Sequence, residues 1–138
     1  MNNWRASLML TVTAALISAG CATNQSVTNP PSSAVIAAAV ADSSRPADDV
    51  ARDPGRKPQE VLAFAGVAPG MTVLDMFAAG GYYTELAATV VGPQGKVVAY
   101  NNTEYGAIAA KAIESRYANG RLPNVEQLSS KNNELELP

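Results

Sequence analysis

Residues 73–87 read VLDMFAAGGYYTELA. Val73, Leu74 and Met76 around Asp75 have the composition of a short strand that ends in an acid. Phe77–Gly81 is a run of small residues closed by two glycines. The following YYTELAATVV then places Tyr83, Leu86 and Val90 at helical spacing, with Gly92 as the stop. The reading is strand, tight loop, helix. Such a loop aims backbone N–H groups at a ligand, and the positive end of the helix favours an anion there.

The alternation continues downstream. Gly92–Gly95 (GPQG) is a turn and Lys96–Tyr100 (KVVAY) a second strand. Residues 103–120 form a second helix, with Ile108, Ala112 and Ile113 facing inward and Gly120 ending it. Asn101 with Glu104 offers an asparagine version of the capping box. Residues 124–128 (NVEQL) give a third strand. Strand and helix alternating at this spacing imply βαβ units, hence an α/β fold with a Rossmann-like parallel sheet of about three strands. Upstream, serines cap a short alanine-rich helix over residues 34–41. Pro46 suits a first helical turn, Pro54-Gly55 breaks the helix, and Pro58 starts another. That helix carries Val61, Leu62 and Ala65 on one face and stops at Gly66; Ala68–Met71 (APGM) is a turn.

The 138 residues suffice for one domain. Net charge is −2 with 16% charged residues, so no basic stripe points to nucleic acid and no acidic tail to a basic partner. The chain has no histidine and one cysteine, Cys21. A thiolate metal cluster and an internal disulfide are both excluded, and no metal site is expected.

The N-terminus reads as an address. Arg5 precedes an apolar run from Leu8 to Ile17, shorter than the ~20 residues that span a bilayer. The run ends in Ile17–Cys21 (ISAGC), which resembles a bacterial lipoprotein signal, although Ser18 stands where leucine is usual. That resemblance implies lipidation of Cys21, a mature chain beginning there, and, with Ala22 following, an outer-membrane anchor in the cell envelope. The competing reading is a buried apolar helix with an incidental cysteine. Residues 22–33, polar and carrying Pro30-Pro31, read as a flexible tether. The expected division is a signal over 1–21, a linker over 22–33 and a domain over 34–138.

Two ligand classes use a loop of this kind: dinucleotides, through their pyrophosphate, and S-adenosyl-L-methionine, through its amino-acid end. Asp75 separates them. Two like charges at ~4 Å cost about 4 kcal/mol at an effective dielectric of 20, so a pyrophosphate is disfavoured, whereas an ammonium suits the carboxylate. The glycines agree, because AAGGYY does not give G-x-G-x-x-G.

Residues 73–102 (VLDMFAAGGYYTELAATVVGPQGKVVAYNN), together with the leader over residues 45–71 (RPADDVARDPGRKPQEVLAFAGVAPGM), resemble class I S-adenosylmethionine-dependent methyltransferases, in particular a bacterial group with an N-terminal lipoprotein-type signal. The resemblance covers about residues 44–138. It implies S-adenosyl-L-methionine as cofactor, held by a loop of Asp75, Ala78, Gly80 and Gly81. Phe77 stands where many members have the first glycine, and Ala79 where the central one is expected. It places Tyr82, Tyr83 and Thr84 at the helix start beside the methionine end. Asn101 falls where an acid usually holds the ribose, and Ser129 and Ser130 where an acid commonly contacts the adenine. The methyl acceptor is not implied. A complete fold of this kind has about seven strands, so three strands suggest a truncated member without the substrate half, its apolar first strand exposed on an edge. From the residues alone, Asp75 also reads as a cap or turn residue, Tyr82 and Tyr83 as packing residues, and Glu104, Lys111, Glu114 and Arg116 as a solvated helix face. A reading from another class is a non-catalytic, lipid-anchored binding or scaffold module.

Overall fold

The computed structural model describes residues 33–131 and residue 134. Three strands, β1 (Thr72–Met76), β2 (Lys96–Asn102) and β3 (Val125–Ser130), pair in parallel in the order β1-β2-β3. Val73 pairs with Val97, Asp75 with Ala99, and Asn101 with Ser129. Parallel neighbours need a crossover. It is supplied by α5 (Tyr82–Val91) between the first two strands and by α6 (Thr103–Tyr117) between the second and third. This is the partial, Rossmann-like α/β arrangement that the alternation in the sequence predicts.

Both crossover helices lie on one face of the sheet. Side chains alternate along a strand, and Asp75 points to α5, where it meets Thr84. Asn101 shares that side through the register Asp75↔Ala99, and its Cβ lies against Gly106 of α6. The core sits beneath α5. Leu86, Val90 and Val91 meet Val97 of β2, Ile36 and Ala39 of α1 (Ser33–Val40) and Leu62 of α4 (Pro58–Phe64). Burying one such aliphatic side chain contributes about 1.5–3 kcal/mol, and α5, with eight of its ten residues buried, supplies six of the eleven buried residues of this core cluster.

Two short turns, α2 (Ala47–Val50) and α3 (Asp53–Arg56), bring the leader alongside α5. Pro54 and Gly55 lie inside α3 instead of breaking the chain, because proline is tolerated in a first helical turn. The break comes at Lys57, which is left-handed at φ 47° and separates α3 from α4. In α4 only Leu62 of the expected face is buried; Val61 and Ala65 are exposed.

Helix α6 departs further from expectation. Ile108 is 84% exposed, whereas Arg116, expected in solvent, is the helix's buried residue. The cap is Asn102, whose side chain accepts from the Tyr105 N–H at 2.7 Å, not Asn101 one residue earlier. β1 has one partner strand among the described residues, and Leu74 and Met76 remain substantially exposed. The expected signal over 1–21, with Cys21, and the linker up to residue 32 lie outside the described residues. Among the described residues no helix is long and apolar enough to cross a membrane.

Candidate functional site

The loop from β1 to α5 alternates in handedness. Phe77 (φ 57°), Ala79 (φ 49°) and Gly81 (φ 81°) are left-handed, whereas Ala78 and Gly80 are not. Successive N–H groups in such an alternation form a concavity that suits an anion. Two of the three left-handed positions carry a Cβ, which costs roughly 1 kcal/mol or more at each.

Specific contacts hold that strain. The Ala78 N–H donates to the Tyr100 carbonyl at 2.9 Å, and the Gly81 N–H to the Ala78 carbonyl at 2.8 Å. Asn101 grips Ala79 on both sides: its Oδ1 accepts from the Ala79 N–H at 2.8 Å and its Nδ2 donates to the Ala79 carbonyl at 3.3 Å. At 7% exposure the Asn101 amide is thus a fastener of the loop from beneath. Gly80 sits where a Cβ would come within 2.7 Å of the Ala112 Cβ on α6, so only glycine lets the loop rest on that helix.

At the head of α5 the capping residue is Gly81, which offers no side-chain acceptor. Among the described residues the N–H groups of Gly80, Tyr82 and Tyr83 have no backbone acceptor. Such orphan donors form the anion-binding end of a helix. Beside them the Asp75 carboxylate accepts from the Thr84 hydroxyl at 2.6 Å. Burial pushes the Asp75 pKa up, and the bonds from Thr84 oppose that shift only in part. Desolvation disfavours the charged form, and a neighbouring cation would favour it.

The leader closes the other side. The Tyr82 hydroxyl donates to Asp53 at 2.5 Å, and burial together with that carboxylate pushes its pKa up to about 12. Arg45 holds Asp53 through two hydrogen bonds of 2.8 and 2.7 Å. The Tyr83 hydroxyl donates to the Arg56 carbonyl at 2.8 Å, and the Tyr82 and Tyr83 rings meet edge to face at 4.9 Å. Both tyrosines therefore tie α3 to α5 while also lining the cavity.

Arg116 locks the loop from behind. Its Nε donates to the Gly80 carbonyl at 2.8 Å, and its Nη1 pairs with Asp49 at 2.6 Å and with Glu85. Arg121 adds bonds of 2.8 and 2.5 Å to Glu85. Burial acts against the Asp49 carboxylate, but the hydrogen bonds from Arg116 and Arg52 outweigh it and hold its pKa below the usual range. Asp49, Glu85 and Arg121 carry no local signal in the sequence that marks them as partners. The one local clue was Arg116 lying a helical turn beyond the small Ala112.

These parts surround a cavity of about 800 Å³, within the range of small-molecule sites. Of the residues that the resemblance places at the cofactor, Asp75, Phe77, Ala78, Ala79, Gly80, Tyr82 and Tyr83 line it. Gly81 and Thr84 stand behind this wall. Asn101 and Ser129 do not reach it; they line a separate hollow of about 340 Å³ between α6 and the sheet. Cys21 lies outside the described residues.

No protein-family model matches the chain, and no curated protein matches it. Among solved structures the chain is similar to a SAM dependent methyltransferase from Aquifex aeolicus. The two share 33% identity over 68% of this chain and 51% of that one, with a TM-score of 0.49. The chain thus spans about half the length of that protein.

Proposed function

We propose that the chain binds S-adenosyl-L-methionine at the β1–α5 loop and is the cofactor-binding part of a class I methyltransferase. The observation that carries this reading is the pairing of opposite requirements at one wall of the cavity. Three N–H groups without backbone acceptors among the described residues, on Gly80, Tyr82 and Tyr83, stand beside the half-buried Asp75 carboxylate. An α-amino acid carries the matching pair, a carboxylate for the N–H groups and an ammonium for Asp75. A pyrophosphate matches only the first.

In this reading the left-handed loop orients the methionine end, and Asn101 and Arg116 hold the loop in shape. Phe77 and Tyr105, in edge-to-face contact at 5.9 Å, border the cavity. In this reading Asn101 shapes the loop through Ala79, which its amide holds at both ends. The cofactor, when bound, supplies a methyl group activated on a sulfonium; the protein's share is positioning. Calorimetry of the full chain with S-adenosylhomocysteine tests the reading. Saturable heat that is lost in Asp75→Ala supports it. No heat at about 1 mM, where even weak binding is measurable, overturns it.

A further inference from the structure

Two arginines on the cavity wall are incompletely compensated. Arg52 and Arg56 stand four residues apart at the two ends of α3, and both line the cavity. Their guanidinium carbons lie 5.0 and 4.7 Å from the centre of the Tyr82 ring. Elsewhere around the site arginines are compensated: Arg45 by Asp53, Arg116 by Asp49 and Glu85, Arg121 by Glu85. Arg52 shares Asp49 with Arg116, and Arg56 has no carboxylate partner among the described residues. Asp48, on the same wall, forms no ion pair with either.

The platform beneath them is fixed. Tyr82 is held by Asp53, and the backbone of Arg56 by the Tyr83 hydroxyl. Stacking on the Tyr82 ring leaves in-plane N–H donors available on Arg56 and, beyond the Nη2 group given to Asp49, on Arg52. Paired guanidinium forks match carboxylates and phosphates in shape and charge.

We propose that Arg52 and Arg56 form a clamp for an oxyanion, a carboxylate or phosphate, carried by the methyl acceptor. This rests on the methyltransferase reading, in which the cofactor's own carboxylate takes the N–H groups at the head of α5. The acceptor is then a small anionic molecule that enters past α3.

The test uses the full chain and its Arg52→Ala/Arg56→Ala variant, each titrated with inorganic phosphate, S-adenosylhomocysteine and 5′-methylthioadenosine. The last lacks the amino-acid end. Backbone amide NMR signals of α3 and of the β1–α5 loop, present in every protein compared, report phosphate, and calorimetry reports the nucleosides. The expected result is a saturable phosphate response at the cavity wall, weakened about tenfold or more in the variant, as loss of charge-assisted bonds implies, with unchanged affinity for S-adenosylhomocysteine. Arg52→Lys/Arg56→Lys, which keeps the charge without the fork, should recover part of the phosphate affinity. A missing phosphate response, or one equal in both proteins, overturns the clamp. Loss of S-adenosylhomocysteine affinity with 5′-methylthioadenosine unaffected assigns the clamp to the cofactor's carboxylate and overturns the acceptor assignment. Phosphate binding without any S-adenosylhomocysteine binding supports the clamp and overturns the methyltransferase reading on which its assignment to an acceptor depends. Equal melting temperatures of the proteins establish that folding is not what changes.

Discussion

Arg116 and Gly80 are joined by a 2.8 Å hydrogen bond from the guanidinium Nε to the loop carbonyl, and the same guanidinium holds Asp49 and Glu85. One buried side chain thus fastens the loop, the leader and α5 together. Removing one partner of a buried ion pair costs up to about 3–5 kcal/mol, an upper bound here because Asp49 keeps Arg52 and Glu85 keeps Arg121. Arg116→Ala should lose stability within that bound in chemical denaturation. A loss below about 1 kcal/mol, as for a solvated pair, would show that the network does not hold the fold.

Asp75 should work against stability near neutrality. Its pKa is raised from an ordinary value near 3.8, mainly by burial. The folded state therefore binds its proton more tightly than the unfolded state does. The penalty is present above the folded pKa and disappears as pH falls toward 3.8. Asp49 and Asp53 run the other way: arginine bonds lower their pKa values, so their contribution is present above 3.8 and lost as pH falls through the folded values. Asp75→Asn keeps an acceptor for Thr84 and leaves Asp49 and Asp53 unchanged. The variant should melt above the parent at pH 7, and the gap should shrink on acidification. Its affinity for S-adenosylhomocysteine should fall, since the ammonium loses its carboxylate. A gap that is constant with pH would contradict the assignment of burial as the cause.

Gly80 and Ala112 should be coupled. The 2.7 Å approach of a Cβ at Gly80 to the Ala112 Cβ means that Gly80→Ala must push the loop off α6, and overpacking of this kind costs about 1–3 kcal/mol. Ala112→Gly alone costs about 1 kcal/mol in helix propensity. The double variant should be more stable than the sum of the two losses predicts. Additive losses in a denaturation cycle would mean that the two residues do not touch in solution.

The anchor assignment can be tested separately. We propose that Cys21 is lipidated, on the strength of the motif Ile17–Cys21. Cys21→Ser should leave the chain in the soluble fraction or with its N-terminal segment uncleaved. Membrane fractionation and mature mass identical to the parent's would defeat the assignment.

The strands and α5 were legible because their signals are local: short runs of β-formers, helical spacing, and glycine where the chain turns. The fastenings were not. Asn101 and Asn102 are adjacent and chemically identical, and only the sheet register decides that the first grips Ala79 while the second caps α6. Ile108 looked inward by spacing, yet α6 meets the loop through small Ala112 and the Arg116 guanidinium, which leaves that isoleucine outside. The network of Asp49, Glu85 and Arg116 joins three distant segments, and no periodicity encodes such a meeting. Charge counting suggested solvent because it cannot see which charges share partners.

Ala79 and Asn101 offer the most direct test of the loop. Ala79 is left-handed at φ 49°, where a Cβ costs roughly 1 kcal/mol or more, and Asn101 holds it there with both ends of its amide. Ala79→Gly removes the strain. Glycine also widens the unfolded ensemble, so stability should change little. Affinity should rise, by up to tenfold for each ~1.4 kcal/mol no longer stored against ligand-competent geometry. Asn101→Ala should do the reverse, leaving the Ala79 N–H and carbonyl without their buried partner at a cost of about 1–3 kcal/mol and weakening S-adenosylhomocysteine binding. Glycine needs no clamp to stay left-handed. Ala79→Gly should therefore raise affinity by a larger factor in the Asn101→Ala background than in the parent. If Asn101 instead met the cofactor directly, Ala79→Gly would raise affinity by the same factor in both. Calorimetry with S-adenosylhomocysteine on the three variants decides between a residue that shapes the loop and one that touches the ligand.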